Sequence, residues 1–120
     1  MANSGNTIDY EAVLASALSA LFPDPVDAQS AIQILSTVVC PRGWNQRVSV
    51  ATLKICGADL DALRKFVDAR HEYRDVVSMA EYPLQGRDWT LRNSDPARHR
   101  ELVNQDWENY KAWIEQMSTS

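Results

Sequence analysis

The run from Ala58 to Pro83, ADLDALRKFVDARHEYRDVVSMAEYP, decides the fold because it is the longest strongly periodic segment of the chain. Winding it at ~100° per residue separates two faces. One arc collects Leu60, Leu63, Phe66, Val67, Tyr73, Val76, Val77 and Ala80; the other collects Asp61, Arg64, Lys65, Asp68, His71, Glu72 and Asp75. The spacing predicts a single helix over Asp59–Ala80, of about six turns, central to the fold. Two residues break its pattern: Arg70 and Arg74 fall inside the apolar arc, and Glu81 projects to the same side. An arginine stem can lie on apolar neighbours, but its guanidinium needs acceptors or water.

The last periodic segment supplies an acceptor. Asp95-Pro96 reads as a cap followed by a proline start, and a helix is predicted over Pro96–Met117. Its apolar arc is Leu102, Val103, Trp107, Tyr110, Trp113, Ile114 and Met117, with Asp106 in the middle and His99 near its N-terminal end. Two long helices joined by a short connection pack antiparallel, so Arg70 or Arg74 is expected to meet Asp106, with His99 close by. That meeting has two readings. It is an interior ion pair that fixes how the helices dock, or a polar pocket in which Arg70, Arg74, His99 and Asp106 receive a small anionic ligand or substrate.

Outward from these two helices, the remaining segments are also helical. Met1–Thr7 is small and polar and reads as a frayed leader. A first helix is predicted over Ile8–Phe22 and a second from Asp24-Pro25 to Val39, burying Ala28, Ala31, Ile32, Ile34, Leu35, Val38 and Val39. Gln46–Cys56 is rich in β-branched residues and its start alternates, yet Val48, Ala51, Thr52 and Ile55 also fit helical spacing, and Gly57 suits a C-terminal cap. With helical neighbours and no partner strand, helix is expected. The fold class is therefore all-α: one compact, bundle-like domain over residues 1–120 with about five helices.

Composition narrows the function classes. A chain of 120 residues with 45% hydrophobic content can build a core without staples. A net charge of −4 argues against a general nucleic-acid binder. Cys40 and Cys56 have no metal-ligand spacing and read as free thiols of a reducing cytoplasm. Neither a signal peptide nor an apolar run of ~20 residues is visible, so a cytoplasmic protein without membrane contact is expected. No cofactor fingerprint occurs, and no cofactor is expected. His71-Glu72-Tyr73-Arg74-Asp75 approaches the zinc-protease spacing but offers no third ligand, so no metal is expected either.

The charge distribution points elsewhere. Between Ala12 and Pro41 only Asp24 and Asp27 are charged, leaving Gln29, Gln33 and Ser36 on a neutral helix face. Trp44, Tyr82 and Trp89 stand in or beside loops with Arg87 and Arg92, the composition of interface anchors. The leading expectation is a non-enzymatic protein-interaction module, homodimeric through these charge-poor faces. The alternative is the anionic-ligand binder or enzyme built on Arg70, Arg74, His99 and Asp106.

The segment Arg47-Val48-Ser49-Val50-Ala51-Thr52-Leu53-Lys54-Ile55-Cys56-Gly57-Ala58-Asp59-Leu60-Asp61-Ala62-Leu63-Arg64, followed by Tyr73-Arg74-Asp75-Val76-Val77 and Ala80-Glu81-Tyr82-Pro83, resembles a stretch of small bacterial proteins of unknown function. Those carry an LK-hydrophobic-small-GDLD-x-LR run followed by YRDVL and AEYP. The resemblance covers the middle of the chain and neither the leader nor the last helix. It implies a helical bacterial protein and brings no activity, ligand or catalytic residue with it.

Overall fold

Three aspartates set the starts of three helices. Asp9 accepts the Ala12 amide at 3.1 Å, Asp24 accepts the Val26 amide at 2.8 Å ahead of Pro25, and Asp59 accepts the amides of Asp61 and Ala62 at 3.0 and 3.1 Å. Each satisfies donors that a helix cannot satisfy internally. In the computed structural model, which describes residues 8–119, the elements are α1 (Tyr10–Leu21), α2 (Pro25–Leu35), α3 (Asn45–Cys56), α4 (Leu60–Asp68), α5 (Tyr73–Glu81), α6 (Leu91–Ser94) and α7 (Pro96–Thr119). A 3-10 turn over Gln85–Arg87 precedes α6. The expected leader, Met1–Thr7, lies outside the described residues. Among the described residues the protein is all-helical and forms one globule, with seven helices rather than five.

The centre of the fold is α3, where the sequence pointed to the Asp59 segment. Val48, Val50, Ala51, Thr52 and Leu53 are all buried, so α3 is enclosed on nearly every side. It packs against α1, α4 and α5. Its β-branched residues fill a helical core, and Gly57, at φ 68°, ends the helix in a conformation that side chains disfavour.

The predicted Asp59–Ala80 helix is broken. After α4 the chain turns at Arg70, whose φ is +56°, and Glu72 then starts α5 by accepting the Arg74 amide at 2.7 Å. Burial explains why continuous periodicity gives two helices. The apolar sides of α4 (Leu63) and α5 (Val76, Val77, Ala80) both close on α3, and a straight rod offers one line of contact where the bend offers two. Tertiary packing outweighs the helical hydrogen bonds lost at the break. The predicted pairing of two long helices accordingly gives way to a different scheme. The one long helix, α7, lies mainly along α1 and α6 and makes a smaller contact with α5.

The second helix also stops early. The hydroxyls of Ser36 and Thr37 donate to the carbonyls of Gln33 and Ile34 at 2.6 and 2.7 Å, competing with continuation toward Val39. Ile32 and Val39, expected in the core, are 45% and 75% exposed. No helix among the described residues is long and apolar enough to cross a membrane.

Candidate functional site

The expected meeting of arginine and aspartate does not form. Arg70 sits on the bend, exposed; Arg74 is exposed on the first turn of α5 and pairs with Glu72 at 3.2 Å. Asp106 is 1% exposed, and its two carboxylate oxygens accept the backbone amides of Leu84 and Gln85 at 3.0 and 3.1 Å. It ties the turn after α5 to α7. His99 is half-buried, and its Nδ1 has no hydrogen-bond partner. The break in the predicted helix is the physical cause: it rotates Arg70 and Arg74 away from α7.

The interior charges come instead from α3. Arg47 donates through Nε to Glu81 Oε2 at 2.8 Å and through a terminal nitrogen to Oε1 at 2.7 Å, a two-pronged pair. Its guanidinium also lies over the rings of Trp44 and Tyr10, at 5.1 and 5.6 Å from their centroids. Tyr10 donates its hydroxyl to Glu81 at 3.3 Å, and burial together with the Glu81 charge pushes its pKa up to about 12. Two turns along α3, Lys54 lies 6.0 Å from the Tyr110 ring centroid; burial lowers its pKa and the Asp106 charge partly offsets that. Tyr110 is buried with its hydroxyl unpartnered, and burial pushes its pKa up. The clue in the sequence is Arg47 and Lys54 seven residues apart in an otherwise uncharged run, a spacing that puts both on one face.

A cavity of about 310 Å³ opens beside the bend. Its walls are Thr37, Val38 and Val39 after α2, Val48 and Thr52 of α3, Phe66 and Val67 of α4, and Val76 of α5. Arg70, His71, Glu72 and Tyr73 complete the lining where α4 gives way to α5. The polar groups are already committed to different degrees. Thr52 donates to the Val48 carbonyl at 2.8 Å, and the Glu72 carboxylate is held by Arg74. The His71 ring lies against Phe66 at 4.3 Å, and Tyr73 meets Trp44 edge-on at 5.1 Å. Of the four residues first grouped as a pocket, only Arg70 lines this cavity. Sequence reading could not find it, because it exists only where the predicted helix is interrupted.

The expected contact residues divide in two. Gln29, Gln33, Ser36, Tyr82, Arg87, Trp89 and Arg92 are exposed, Trp89 at 77%. Trp44 is half-buried between Arg47 and Tyr73, a local packing role. Cys40 and Cys56 are free thiols, both half-buried. Comparison of the chain with protein-family models, curated proteins and solved structures finds no match in any of the three.

Proposed function

We propose that this protein is a non-enzymatic binding domain for a small, mostly apolar molecule held in the cavity beside the bend. The observation that carries this reading is the cavity's make-up: a mainly apolar body of valines and Phe66, with its charged groups on the single run Arg70–Glu72. Small-molecule sites have this composition, in volumes from ~300 Å³ upward. At ~30 Å³ per water-sized group, about 310 Å³ suits roughly ten non-hydrogen atoms. Binding is favoured over catalysis because Thr52 and Glu72 are tied up by Val48 and Arg74. Catalysis also needs the remaining lining base, His71, to be oriented by a hydrogen-bonded partner, and its ring rests on Phe66 instead.

The test uses 1-octanol as the probe. Titration should give saturable amide chemical-shift changes centred on Val38, Val48, Phe66, Tyr73 and Val76. Val67→Phe, which fills the cavity, should abolish them while circular dichroism stays unchanged. Shifts scattered over the surface, or undiminished in the filled variant, would sink the reading.

A second reading, self-association, is favoured by the outer face of α2. There Val26 (73% exposed) and Ile32 stand with Gln29, Gln33 and Ser36 and no charge among them. A second copy of the chain is the fitting occupant. Two molecules of net charge −4 repel one another least where each presents an uncharged face. A concentration-dependent dimer in sedimentation, lost in Ile32→Glu, supports it; a strict monomer at high micromolar concentration rejects it.

A further inference from the structure

Arg70 carries the most unusual backbone in the described chain. It is the one non-glycine residue there at positive φ, and it takes the position after a helix end where glycine is favoured. A side chain in that conformation crowds its own backbone, and such residues cluster where a structure has a use for them. The use is not a structural ion pair. The ion pairs of the described residues engage Arg47, Arg64, Arg74, Arg98 and Lys111, and none engages Arg70.

Charge along the Arg70–Glu72 run of the cavity is therefore unbalanced. Glu72, the only carboxylate in the lining, has both oxygens engaged by Arg74 and one also by the Arg74 amide. Arg70 keeps its full charge at the same opening, and the adjacent His71 ring, braced on Phe66, carries a further nitrogen donor. The apolar walls of Val38, Val48, Val67 and Val76 extend inward from there.

We infer that the cavity's ligand is a monocarboxylate of about ten non-hydrogen atoms in all, its carboxylate at Arg70 and its apolar body among the valines. This rests on the cavity being a ligand site, and the experiment separates the two. Octanoate and 1-octanol share a chain and differ in charge. Octanoate is expected to bind about fivefold more tightly at low salt, the range of an exposed ion pair, and the difference should shrink in 0.5 M NaCl.

Arg70→Gly gives a readout that a purely structural role would not produce. It should erase the preference for octanoate and leave 1-octanol binding in place. It should also raise Tm by about 3–5 °C, because glycine relieves the left-handed strain. Arg70→Lys, which keeps both charge and strain, should retain part of the preference with Tm unchanged. Equal affinity for the two ligands in the parent protein, or an octanoate preference that survives Arg70→Gly, overturns the inference and leaves the cavity reading standing. Failure of 1-octanol and octanoate alike sinks both.

Discussion

The pairing of Arg47 with Glu81 is lopsided, and that asymmetry governs what happens when it is broken. The arginine side chain keeps 29% of its surface in contact with solvent, while the glutamate keeps 6%. Removing the carboxylate leaves a cation that water can still reach. Removing the arginine strands an anion in the core with only Tyr10 to donate to it. Arg47→Met is therefore expected to cost about 3 kcal/mol and Glu81→Gln about 1 kcal/mol, measured by urea unfolding. Equal costs would show that water reaches both partners alike. Tyr10 adds a dependence on pH. Its hydroxyl titrates near 10.0 when unfolded and at about 12 in the fold. Between those values the unfolded chain has lost a proton that the folded one keeps, so stability must fall as pH rises from 10 to 12. Tyr10→Phe should flatten this decline without removing it, since Tyr110 is shifted the same way. Thermal melts across that range check the slope.

Among the elements, the turn after α5 depends on a single side chain. Asp106 gathers the Leu84 and Gln85 amides, and α7 carries it there. Asp106→Ala leaves two N–H groups without their acceptor and should cost about 2–4 kcal/mol. Asp106→Asn, which keeps one acceptor oxygen, should cost less. Amide exchange at Leu84 and Gln85 should quicken in the alanine variant; unchanged exchange would mean that other contacts hold the turn. The elements also show where sequence reading succeeded. Asp24-Pro25 and Asp95-Pro96 marked their helix starts correctly, because a cap and a proline act locally. Asp106 was rightly singled out as a charge on an apolar face, but its partner was not legible. Backbone amides carry no signature in a sequence, and an arginine does. The break at Arg70 had no glycine or proline to announce it; its cause lies in packing on α3, outside the segment's own pattern. The cavity depended on that break and was illegible with it.

For the whole molecule, the arrangement puts a broadly buried helix at the centre and gives its only charges interior tasks. Arg47 and Lys54 face Glu81 and Asp106, which sit on α5 and α7. Among the described residues the outer surface includes an uncharged stretch on α2 and the exposed aromatics Tyr82 and Trp89. The cavity lies between α3 and the bend, so a bound molecule would contact three helices and the chain after α2. Occupancy is expected to stabilise their association by mass action.

The interruption at residues 69–72 leaves α4 and α5 nine residues each, below the length at which an isolated helix persists in water. Neither can wait, preformed, for a partner during folding. Each must acquire its shape while settling onto α3, so this part of the chain should be the last to assemble and the first to come loose. The pocket would then vanish before the rest of the protein unravels.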